Sequence, residues 1–151
     1  MTTKNSYFRS TLLPLVIIPV GGLVTLGLCY LLYLFIYNFV EIQFFPTDPT
    51  SVPAATIRRV YTLALLVLYW ALLRTKIPDL LKATILIGPL AMFITTAILS
   101  FYEKPVAAMA AVVIIVAVCI FLLYRYKQPW LYYYAVAVTV LTAIALAWPK
   151  V

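Results

Sequence analysis

Histidine is absent from these 151 residues, and only four acidic side chains stand against eleven Lys and Arg. No charged residue falls well inside any of the long apolar runs. Without imidazole the commonest proton shuttle and metal ligand is missing. Without intramembrane ionisable groups, proton relays, carboxylate-coupled pumps and membrane metalloenzymes lose their usual chemistry. Cysteine is nearly as scarce. Cys29 and Cys119 stand alone, without CxxC spacing, and read as small apolar filler. No metal site and no cofactor is expected. Catalysis lacks its usual constellations as well, because Ser100 has no activating partner at helical spacing.

What is present is overwhelmingly apolar. Hydrophobic residues make up 66% of the chain and the mean hydropathy is +1.10, so lipid must be the solvent for most of it. The net charge is +7, but the basic residues sit singly or in small groups at the edges of apolar segments. That pattern suits topology signals and anionic-lipid contacts, not a nucleic-acid surface. Nucleic acid is not an expected partner; a lipid bilayer is.

Crossing a hydrocarbon core of about 30 Å takes roughly twenty helical residues. Five such spans are expected, at about 11–40, 60–73, 80–102, 105–124 and 129–148, with one sizeable connection at 41–57. The fold class is therefore an all-α, polytopic membrane protein, a single domain of five transmembrane helices. Lys4 and Arg9 precede a first run too long for a signal peptide, so it is expected to remain as a span. Pro78, Pro105 and Pro129 mark helix starts, where a missing N–H costs nothing. Pro89 after Gly88 predicts a kink in the third span, and Pro19 with Gly21 and Gly22 a loosened first one. The prolines of 41–57 predict an extended connection.

Alternate connections divide the basic residues unequally. Lys4, Arg9, Arg74, Lys76, Lys82, Arg125 and Lys127 fall on one side; Arg58, Arg59, Lys104 and Lys150 fall on the other. The positive-inside rule then places the N-terminus in the cytoplasm and the C-terminus outside, in a plasma or inner membrane.

Four constellations could carry function. Tyr30, Tyr33 and Tyr37 recur at i, i+3 and i+7, and Glu41 continues their stripe. They form a candidate ligand groove opening outward, with Tyr37 wettest and Tyr30 driest; the alternative is an aromatic belt at the interface. Asp48, Arg58 and Arg59 are a candidate outer headgroup site, and Arg74, Lys76 and Lys82 candidate inner anionic-lipid contacts, unless they serve topology alone. Ala135, Thr139, Ala143 and Ala147 follow at i+4 steps in the fifth span, a small-residue face for close helix contact. It can serve packing within the chain, a homo-oligomer or a larger membrane complex. Ala107 and Ala111 offer a shorter version in the fourth span, while Tyr132, Tyr133 and Tyr134 read as an interface collar and Trp130 and Trp148 as anchors.

The leading functional expectation is a non-catalytic membrane module or accessory subunit working through helix contacts with partner proteins or lipids. A small oligomeric transporter or channel for a neutral or amphipathic solute is the second. A lipid-active enzyme at the outer interface is the third.

Overall fold

The computed structural model describes residues 12–45 and 52–147. Five helices make up nearly all of it: α1 (Leu13–Phe44), α2 (Ala54–Leu73), α3 (Asp79–Ser100), α4 (Pro105–Arg125) and α5 (Trp130–Ala147). All five are long and apolar enough to cross a membrane. The chain is an all-helical membrane bundle.

Pro78 caps α3 and Pro105 begins α4, as their fixed φ and absent N–H favour. The first connection is shorter than its prolines suggest. Helix continues through Glu41 to Phe44 and resumes at Ala54, straight after Pro53. A carboxylate does not stop a helix that is already propagating, and Pro53 supplies the start that Val60 was expected to mark. α3 runs unbroken through Gly88 and Pro89.

α3 is the axle of the bundle. In its most apolar stretch 67% of residues are buried, against 11% in α1 and in α4. Ile87, Ile94 and Ile98 are fully enclosed, and α1, α2, α4 and α5 each pack against α3. Apolar burial cannot drive helices together when lipid is equally apolar, so close approach and interhelical hydrogen bonds must do so. The α1–α3 crossing uses glycine for the first. A Cβ on Gly22 would fall on the Ile87 side chain, and one on Gly88 would lie 2.9 Å from Cys29 Sγ and 3.2 Å from the Thr25 carbonyl oxygen. Thr25 Oγ1 donates to Gly22 O at 2.9 Å and lies 3.4 Å from Thr84 O, stitching the crossing.

On the other side of α3 lies the small face of α5. Ala135, Thr139, Ala143 and Ala147 are all buried there, packed among Ala83, Ile87, Leu90, Ile94 and Ile98. A second copy meeting the protomer on this face would have to displace α3. In α4 the inward residues are Ala108 and Val112, one position on from Ala107 and Ala111, which are half-buried.

Tyrosine hydroxyls provide the second kind of tie. Pro19 has no N–H to give the carbonyl of Leu15, one turn earlier; Tyr134 of α5 donates to that carbonyl instead, at 3.1 Å. Tyr61 of α2 donates to Cys29 O of α1 at 2.6 Å, and Tyr69 of α2 to Lys82 O of α3 at 3.2 Å. The expected collar is therefore mostly internal. Tyr132 is only 2% exposed, with its hydroxyl 3.5 Å from Asp79 Oδ1. Two residues apart on α5, Tyr132 reaches Asp79 of α3 and Tyr134 reaches Leu15 O of α1, a rotation that a belt reading based on composition could not see.

Candidate functional site

The tyrosine stripe of α1 divides. Tyr30 is 53% exposed and faces away from the bundle. Tyr33 turns inward, its ring 5.7 Å from that of Tyr61 on α2 and 6.3 Å from that of Tyr37. Tyr30 is thus the outermost of the three and does not share the inward face of Tyr33. The reason is the course of the buried face along α1. It descends through Pro14, Ile18, Gly22 and Leu26 to Cys29, Tyr33 and Ile36, and Tyr30 lies to one side of it.

Tyr33, Tyr37 and Tyr61 form an aromatic cluster where α1 meets α2, two helices that otherwise touch sparsely. Leu26, Leu65, Ala91 and Met92 pack into the same cluster. The Tyr61 hydroxyl is committed to Cys29 O and fixes the ring edge against α1. Glu41 is half-buried two turns beyond Tyr33.

Arg58 stands one turn before Tyr61 on the same face of α2. Its Nε is buried and has no hydrogen-bond partner among the described residues. Arg59 points elsewhere. With Thr62, Leu63, Phe93 and Thr96 it lines a separate apolar groove of about 240 Å³ between α2 and α3. At its base Thr62 Oγ1 donates to Arg58 O at 2.8 Å, so the 3.1 Å contact between the two threonine hydroxyls has Thr96 as donor. Arg58 and Arg59 therefore do not converge on one site. Asp48, the third member of that expected cluster, lies outside the described residues.

At the opposite end the three expected anionic-lipid contacts also separate. Lys82 is 9% exposed and its ammonium donates to Leu73 O at 3.0 Å, capping the C-terminus of α2. The cation is spent on helix-end carbonyls, where the helix dipole favours it. Arg74 lies over the Trp70 ring, 4.2 Å from its centre, and Lys76 is exposed. Trp70 and Arg74 form an interfacial anchor of aromatic body and cationic tip. The role of Lys82 had a signal in the sequence, since it follows the α2 terminus by nine residues across a proline turn.

A recess of about 390 Å³ lies at the α3–α4 connection and is lined by residues from Leu99 to Lys104. Ser100 there donates to Thr96 O at 2.8 Å, an intrahelical bond that satisfies the hydroxyl without activating it. Among the described residues no group of three His, Cys, Asp or Glu side chains could hold a metal ion. Compared with known protein families, characterised proteins and solved structures, the chain matches none.

Proposed function

We propose that this protein is a non-catalytic membrane module that docks a partner membrane protein along the outward face of α1. The observation that carries this reading is the length of that helix. α1 has 32 residues, about 48 Å of axis. Confining 48 Å to a core of about 30 Å would need a tilt of about 50°, beyond the usual limit of about 40°. α1 and α3 are level where Thr25 meets Gly88. From there α1 continues for 19 residues and α3 for 12, so α1 outruns its neighbour by about 10 Å.

The face that α1 turns away from the bundle does not become polar as it leaves. Leu28, Leu31, Phe35, Phe39 and Ile42 follow one another at three- and four-residue steps, and Phe35 and Ile42 are each 68% exposed. An apolar stripe passing from lipid into the interface needs cover there, and a partner helix supplies it. A module is favoured over a conduit by the filled centre of the bundle, where Ile87, Ile94 and Ile98 occupy the space a path would need.

A photoreactive amino acid at Phe39 or Ile42 should crosslink to protein in native membranes, whereas one at Val113, on the exposed face of α4, should crosslink to lipid. Lipid adducts alone at all three positions would refute the docking reading. In the same reading the overhanging end of α1 lies outside the cytoplasm, as the basic-residue count expects. A phosphatase reporter fused at Val151 should be active; a cytoplasmic signal there would reverse the orientation.

A further inference from the structure

We infer that the groove between α2 and α3 seats one acyl chain of an anionic phospholipid whose phosphate is held by Arg59. The seat involves α2 and α3 alone and is independent of the docking stripe on α1. Contacts around α3 run from α2 to α1, from α1 to α5 and from α5 to α4; among the described residues no comparable contact joins α4 back to α2. The ring of helices is open there. Leu63 stands two residues from Tyr61, which reaches α1, and so projects from the opposite side of α2, toward that opening. In a bilayer the opening faces hydrocarbon, and a lipid chain covers what no helix covers.

Depth, width and polarity select the occupant. Thr62 and Thr96 meet at 3.1 Å on successive, oppositely running spans, so Arg59 is level with Leu99, one residue before α3 ends. From that level to Phe93 is about 9 Å of axis, which makes the 240 Å³ groove about 6 Å across, against about 10–12 Å for a helix. Its hydroxyls are already engaged: Thr62 donates to Arg58 O, Thr96 to Thr62, and Ser100 just above to Thr96 O. The lining is therefore apolar, and Arg59 contributes its methylene stem while its guanidinium reaches past the mouth to headgroup depth. An apolar slot one chain wide that ends at a cation fits an amphiphile with an anionic head. The arginine fork binds two phosphate oxygens at once. Arg58 beside it, and a helix N-terminus whose first turn has no acidic residue, add positive potential that disfavours a zwitterionic headgroup's ammonium.

The test is native mass spectrometry of the full chain released from detergent, with phosphatidylglycerol, phosphatidylcholine and inorganic phosphate as separate probes. One phosphatidylglycerol should be retained about tenfold more strongly than phosphatidylcholine, and inorganic phosphate should not displace it. Arg59→Gln should remove that preference, Arg59→Lys only part of it, and Arg58→Gln little. Leu63→Trp fills the slot and should weaken retention of both lipids, whereas Val67→Trp, one turn deeper on the same exposed face and outside the groove, should leave it unchanged. Arg59, Leu63 and Val67 are all exposed, so each variant should melt close to wild type. Equal phosphatidylglycerol retention by wild type and Arg59→Gln would overturn the assignment of the phosphate. Wild-type retention by Leu63→Trp, or displacement of the lipid by inorganic phosphate, would overturn the seat for the chain.

Discussion

Alanine at position 88 will lower the thermal stability of the bundle in detergent, and alanine at position 27 will raise it. Both changes add one methyl group to a helical glycine, and both gain up to about 1 kcal/mol of helix propensity. They differ in what the methyl meets. At Gly88 it meets Cys29 Sγ and, more seriously, the Thr25 carbonyl, a backbone group that cannot rotate away. α1 and α3 must then separate, stretching the Thr25–Thr84 contact and loosening the packing around Ile87. Overpacking of this kind costs about 1–3 kcal/mol, so Gly88→Ala should lose about 1–2 kcal/mol net. At Gly27 nothing lies within 4 Å, and the propensity gain stands alone. Thermal denaturation of the two variants checks the sign, and a Gly88→Ala protein as stable as wild type would show that the crossing is not close-packed.

A second large effect is expected at the α3–α5 contact. Ala143 is 0% exposed and packed in a cluster with Leu90, Ile94, Ile98 and Val136. Ala143→Leu inserts three heavy atoms where no void accepts them and should cost about 1–3 kcal/mol. Ala145, two residues on, faces outward, and Ala145→Leu should change stability by a few tenths at most. Ala143→Gly completes the series: it restores approach but gives up about 1 kcal/mol of helix propensity. Equal melting of the two leucine variants would remove the close-packing account of this face.

These two interfaces were unequally legible. The face of α5 could be read because alanine and threonine at i+4 steps are conspicuous among Leu, Ile and Val, and small residues in that register have one physical use. The partner of that face could not be read, since α3 and a second copy satisfy the same pattern. Helix number and the starts at Pro78 and Pro105 were legible for the same local reason. Rotation was not. A helix apolar on every side gives no amphipathic signal, so Tyr30, Tyr33 and Tyr37 were expected to share one face until the path of Ile18, Gly22 and Leu26 turned one of them outward. Tyr61 and Tyr69, which tie α2 to α1 and α3, had no distinguishing spacing at all; their role depends on which carbonyl lies across the gap. Of the candidate sites, Arg58 was visible as a charge beside a span. Its separation from Arg59 follows only from adjacent helical residues pointing about 100° apart, and from the actual placement of α1 and α3 on either side.

The central position of α3 bears on how the chain is made. α3 enters the membrane third, when α1 and α2 are already available to receive Gly88, Thr84 and Thr96, but its remaining face waits for α4 and α5. Leu90, Ile94 and Ile98 can rest against lipid during that interval without penalty, because lipid is as apolar as the helix that later replaces it. The polar end of α3 does not have to wait, since Lys82 is answered by Leu73 O and Tyr69 from the preceding helix. Synthesis therefore passes through a three-helix stage in which Lys82 is already answered and whose open side is greasy. α5 then adds tight packing and the Tyr134 bond to Leu15 O, which joins it back to α1. Closure of the bundle thus waits for α5, and a nascent chain interrupted after α4 would be open along one side with the Leu15 carbonyl unanswered.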